Sequence, residues 1–153
     1  MEEQIYYLGL IRKNIINELE NHSLQQLLYI PVGFKNNIFW NAAHVLATQQ
    51  LIMYYLTETK MYVDKSFIER YKKGTIGTTE VSEKEVEELI EVLEQTPKLL
   101  YKDYRSEKLA YYKPYSTSFG AKLESIEDAI QFNNIHEGIH FGYILALKKN
   151  IPF

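Results

Sequence analysis

The chain has 153 residues, a net charge of -3 and no cysteine. That length suffices for one proper hydrophobic core and is short for two, so a single domain over 1–153 is expected. The acidic balance lacks the Lys and Arg surplus that phosphate backbones require, which argues against a nucleic-acid partner, and the missing cysteine excludes disulfides, thiolate ligands and a thiol nucleophile of the protein's own.

The opening Met-Glu-Glu-Gln has no basic region followed by an apolar stretch. No segment approaches the ~20 apolar residues of a membrane span. The expectation is a cytoplasmic protein without a membrane partner.

Residues 2 to 22 place Ile5, Leu8, Ile11, Ile15 and Leu19 at three- and four-residue spacing, which predicts an amphipathic helix. The connection from His22 to Lys35 is too apolar for a free linker, and Pro31 and Gly33 stop a regular helix there, so it is expected to pack on the bundle. Asn36 or Asn37 can cap a second helix running to about Thr57. That helix is almost wholly apolar and therefore buried. Lys65 to Lys73 predicts a brief helix. Lys73-Gly-Thr-Ile-Gly-Thr-Thr79 lacks the Gly-Lys-Ser/Thr ending of a phosphate loop and is read as a turn.

Ser82-Glu-Lys-Glu85 has capping-box spacing ahead of Val86, Leu89, Ile90 and Leu93, so a third main helix starts there. Pro97 predicts a kink or a break and restart. From 105 to 124 the pattern fades into a Tyr-rich crossover with Pro114 and Gly120, and long connections of this kind often help to build a site. Ser125-Ile-Glu-Asp128 opens a last helix that ends at Lys148 and Lys149. The fold class is all-α: a four-helix bundle with a long crossover before the last helix, without strong strand patterns.

His136 and His140 stand four apart, so on a helix they lie ~40° apart and one turn above each other, within reach of one ion. His44 sits in the middle of the most apolar helix, where a bare imidazole is costly to bury. With a histidine pair on a neighbouring helix, a three-histidine metal site outweighs a hydrogen-bonded core histidine. Asn37, Asn41, His44, Thr48 and Tyr55 form a polar stripe on one helix, and Phe132, Asn133, His136, His140, Tyr143 and Leu147 a matching stripe on the other. Asn41, Thr48, Asn133 and Tyr143 are candidates to orient ligands or a metal-bound water. Asn41, Glu137 and Tyr143 are the catalytic candidates.

His136-Glu-Gly-Ile-His140 also fits the zinc-protease pattern H-E-x-x-H, with Glu137 as base. That class usually takes a third ligand from further along the chain, and none of the 13 residues after His140 is His, Asp or Glu. The protease reading therefore fails, and Glu137 is assigned a supporting or structural role. His22, at the end of the first helix, is read as a charge partner for that terminus rather than a ligand. Three neutral imidazoles with open positions suit zinc, nickel, copper and iron alike.

Asn36-Asn-Ile-Phe-Trp-Asn-Ala-Ala-His44 together with His136-Glu-Gly-Ile-His-Phe-Gly142 resembles the DinB-like superfamily, which includes DinB and YfiT-type proteins and bacillithiol S-transferases. The resemblance implies a four-helix bundle, frequently a homodimer, holding nickel or zinc through His44, His136 and His140. It further implies a small-molecule substrate and, by analogy with the thiol transferases, a low-molecular-weight thiol as co-substrate joined to a small electrophile. A metal-dependent hydrolase and a non-catalytic, stress-response metal-binding bundle are the alternatives.

Overall fold

The computed structural model describes residues 1–152. Its first helix, α1 (Glu2–Glu20), buries Ile5, Leu8, Ile15 and Leu19, and Arg12 falls on the same buried register. The helix ends two residues before the expected boundary, where the His22 ring Nδ1 donates to the Glu18 carbonyl and takes up one of the free acceptors of the last turn. The connection does pack on the bundle, but it contains a five-residue helix, α2 (Leu24–Leu28), started by a reciprocal Ser23–Gln26 capping box and burying Leu27 and Leu28.

Asn37 caps α3 (Ile38–Gln50): its Oδ1 accepts from the Trp40 amide at 2.8 Å, and its Nδ2 donates to the carbonyls of Leu28 and Thr78. Every residue of α3 except Thr48 is buried, which makes it the central helix. Regular α-helix was expected as far as Thr57. Instead, Leu51–Tyr55 form a π-helical turn, in which the Leu56 amide reaches back five residues to the Leu51 carbonyl. Such widened turns concentrate at functional sites, and hydrophobic periodicity over five residues does not distinguish them from α-helix.

A brief helix, α4 (Lys65–Tyr71), capped by Asp64, follows as expected. In the turn after it, Gly74 has a positive φ of 93°. A Cβ at Gly77 would stand 3.1 Å from the Asn37 amide nitrogen, so this loop lies hard against the start of α3. The third main helix, α5 (Glu83–Arg105), begins at the Ser82–Glu85 capping box. Of the two expectations at Pro97, the break and restart does not occur: one helix passes through it. Near the lost amide donor, the Thr96 hydroxyl donates to the Val92 carbonyl at 2.9 Å.

The crossover is less irregular than its sequence suggests. Tyr115–Ser116 (β1) pair antiparallel with Lys122–Leu123 (β2), Tyr115 opposite Leu123, in a hairpin whose tip ends at Gly120 with φ +82°. Two-residue strands carry too little alternation to be read from sequence. Leu109 and Leu123, both buried, fix the crossover to the core. The last helix, α6 (Ile126–Lys148), is capped by Ser125. The four long helices α1, α3, α5 and α6 form the bundle, with α1 packed on α5 and α6, and α3 packed on α6. Among the described residues, no helix is long and apolar enough to cross a membrane.

Candidate metal centre

The α3–α6 contact brings the His136–His140 pair, singled out by spacing, together with His44, singled out by its place in an apolar helix. One ring nitrogen from each of His44, His136 and His140 lies within 4.8 Å of the others. Ring centroids are 4.7 Å apart for His44–His140, 5.2 Å for His44–His136 and 4.5 Å for His136–His140. Such a cluster of neutral nitrogen donors could hold a divalent metal.

Hydrogen bonding fixes the tautomers of two rings. His44 Nδ1 stands 2.6 Å from the Tyr71 carbonyl, an acceptor only, so Nδ1 carries the proton and Nε2 keeps its lone pair. Asn41 donates through Nδ2 to the Asn37 carbonyl at 2.8 Å, which leaves its Oδ1 to accept from His140 Nδ1 at 2.8 Å. His140 is thereby held with Nε2 free as well. Among the described residues the Nδ1 of His136 is buried without a hydrogen-bond partner. Orphaned buried polar atoms are unusual unless a ligand completes them, so the donor set fits a metal. Trp40 stacks flat on His44, with centroids 4.6 Å apart and planes 8° off parallel, and clamps the ring from the side.

Electrostatics keep the rings neutral. His136 is lowered to about 3, chiefly by burial and then by the positive charge that His140, His44 and Arg12 would present to it. His140 is lowered to about 4 by burial and by His44. Burial lowers His44 too, partly offset by the Tyr71 carbonyl. Groups whose folded pKa lies below the unfolded value of about 6.5 add stability above that pH, and lose it as protons bind preferentially to the unfolded chain. The metal-free protein is therefore expected to melt at progressively lower temperature between about pH 6.5 and pH 4, and His136→Ala should flatten that slope. Thermal unfolding followed across this range checks it, and an unchanged slope in the variant would contradict it.

The histidines form part of the wall of a cavity of about 750 Å3. Thr48, Leu51, Ile52 and Tyr55 line it from α3 and the π-helical turn; Phe132, Ile139 and Tyr143 from α6; and Lys113 to Tyr115 and Thr117 to Phe119 from the crossover, which does help to build the site. The polar stripe is thus mostly realised. Thr48 Oγ1 lies 3.4 Å from His44 Nε2, and Tyr143 is half-exposed on the wall with its ring edge-on to Phe34.

Four of the singled-out residues lie elsewhere, Leu147 among them, buried in the hydrophobic core. Asn37 is the helix cap. Glu137 is fully buried and receives both Arg12 Nε (2.6 Å) and Nη2 (2.7 Å), a bidentate pair. Asn133 is buried beside it and donates to Glu137 Oε1 at 2.7 Å instead of reaching a histidine. Glu137 does not line the cavity. Arg12 also reaches Gln49 and Thr96, so this network ties α1, α3, α5 and α6 together. Sequence reasoning missed Arg12, although its place on the buried register of α1 is a readable signal. It also missed Trp40, and Tyr71, whose contribution is a backbone carbonyl that no side-chain pattern announces.

Comparison with the curated proteins gives no match. The family model of the DinB superfamily matches residues 8–144, a span that contains all three histidines and every long helix in whole or in large part. The chain belongs to the DinB superfamily.

Proposed function

We propose that the protein is a metal-dependent enzyme in which His44, His136 and His140 hold one nickel or zinc ion, and which joins a low-molecular-weight thiol to a small electrophile. The observation that carries this reading is a neutral three-nitrogen cluster opening into a cavity that no carboxylate lines. When bound, the ion supplies Lewis acidity that favours the thiolate form of a bound thiol. Because the chain has no cysteine, the thiol comes from outside.

The protein's own groups position and shield. The Tyr71 carbonyl and Asn41 aim two imidazoles, Trp40 holds His44 in plane, and the Leu51, Ile52 and Phe132 walls keep water from the nucleophile. Tyr143 offers a hydroxyl at the wall for the departing group. In the net reaction a carbon–sulfur bond forms, the bond from that carbon to its leaving group or epoxide oxygen breaks, and the thiol proton ends on the departing oxygen or anion. No oxidant or reductant is consumed. Hydrolysis is the second reading, since a water held at the same centre would have a lowered pKa; Glu137, committed to Arg12, does not serve as its base.

The test is thiol consumption by nickel- or zinc-loaded protein across a panel of epoxides and alkyl and aryl halides, with products weighed by mass spectrometry. Metal-dependent thioether formation, lost in His136→Ala, is expected. Ester or amide cleavage without thioether would point to the hydrolase, and neither activity in metal-loaded protein to a non-catalytic bundle.

A further inference from the structure

The cavity carries formal charge of one sign only. The chain has 20 Asp and Glu residues, yet none lines the cavity, whereas Lys73 and Lys113 both do. Among the described residues neither lysine joins an ion pair; those found use Arg12, His22, Arg70, Lys72, Lys84, Lys98, Arg105, Lys108 and Lys148. Lys113 also borders a smaller depression that contains Glu58, without pairing to it.

Both lysines are built into the rim by their backbones. The Lys113 amide donates to the Leu56 carbonyl at 2.8 Å, just beyond the π-helical turn. Lys73 sits in the turn where Thr75 Oγ1 donates to the Lys72 carbonyl and accepts from the indole of Trp40, both at 2.9 Å. The Gly77 amide donates to both the Lys35 carbonyl and Asn36 Oδ1, which seals the same loop to the start of α3. Two fixed attachment points thus place at the lining of one cavity two lysines that join no ion pair among the described residues, in a protein that is net acidic. Single-sign charge in a low-dielectric cleft concentrates ligands of the opposite sign.

We propose that Lys73 and Lys113 form an anion-recognition element, and that the small molecule taken up by the cavity carries a carboxylate or phosphate set apart from its reacting atom. The proposal deepens the thiol-transfer reading and rests on it for the choice of probe. The remote anion supplies orientation: held at the rim, it leaves the other end of the molecule to reach the histidines.

The lone tryptophan lines the cavity against His44, so its fluorescence reports occupancy independently of turnover. Metal-loaded protein is titrated at low salt with mercaptosuccinate, a dianionic thiol, and with thioglycerol, an uncharged one. At least about tenfold tighter binding of mercaptosuccinate is expected, falling to within about threefold in the Lys73→Met/Lys113→Met double variant and in 0.5 M salt. Both lysines are exposed, and unchanged metal content in the double variant shows that it is folded. Succinate and glycerol 2-phosphate are then used as competitors; the one that displaces mercaptosuccinate at lower concentration identifies the anion. Equal affinity for the two thiols, a preference that survives the double substitution, or displacement by neither competitor overturns the proposal. A lysine-dependent preference in a protein that forms no thioether upholds the anion element and removes thiol transfer, so the two failures are distinguishable.

Discussion

His44→Ala protein is expected to come off a metal-affinity-free purification largely without metal, where the wild type carries about one ion per chain. Loss of a group that merely orients a ligand costs metal sites about 10–100-fold in affinity, so loss of a direct ligand should cost more than the upper end of that range. Asn41→Ala provides the internal scale. It keeps all three imidazoles but removes the acceptor that holds the His140 Nδ1 proton, and should fall inside the 10–100-fold window. Metal content by elemental analysis, followed by competition against a chelator of known affinity, measures both. Full occupancy in His44→Ala would remove that residue from the site and leave only the α6 pair.

The second large effect is on stability. Glu137→Ala leaves the Arg12 guanidinium 1% exposed, with only Gln49 and Thr96 as partners. Removing one member of a buried ion pair typically costs about 3–5 kcal/mol, because the remaining charge stays desolvated without compensation. Denaturant unfolding of metal-free protein should register most of that. Arg12→Met/Glu137→Leu, which deletes both charges at similar volume, should recover much of the loss, since paired buried ions often contribute little over packed apolar groups. Recovery would assign Glu137 to the core. Peptide cleavage by the wild type that disappears in Glu137→Gln with metal still bound would instead restore the protease assignment.

What could be read from the chain divides along physical lines. Helix starts at Asn37, Ser82 and Ser125 were legible because capping is local chemistry within four residues. The histidine pair was legible because i and i+4 share a helix face whatever surrounds them. His44 needed a neighbour that sequence does not supply, and the α3–α6 packing provides it. Glu137, both a catalytic candidate and a supporting residue on sequence grounds, has a partner that was not legible: a bidentate contact spanning 125 residues leaves no local trace except an arginine on an apolar register. The opposite error occurred at Asn133, where helical phase put the residue on the histidine stripe although its amide turns inward to Glu137. Stripe membership fixes an angle to within tens of degrees, and at this helix interface that uncertainty separates the cavity from the core. The hairpin at 115–123 and the π-helical turn were illegible for a simpler reason, each being shorter than the window over which periodicity accumulates.

The five residues of that π-helical turn bear on how the cavity could vary among related chains. A π turn is an α-helix that has absorbed one residue more than its turn needs, and each residue of regular helix advances the facing by about 100°. Because the wide turn takes up that residue within one revolution, excising a single residue between Leu51 and Tyr55 would let α3 run on as plain α-helix, and the segment beyond would keep its facing. Leu56, whose carbonyl fastens the crossover at Lys113, would stay in place, while the cavity wall at Leu51 and Ile52 would lose the widened turn. The histidines, upstream or on another helix, would keep their places. Gain or loss of one residue here would thus alter one stretch of the cavity wall while sparing both the donors and the crossover's attachment, a route by which one bundle could change its ligand without rebuilding its centre.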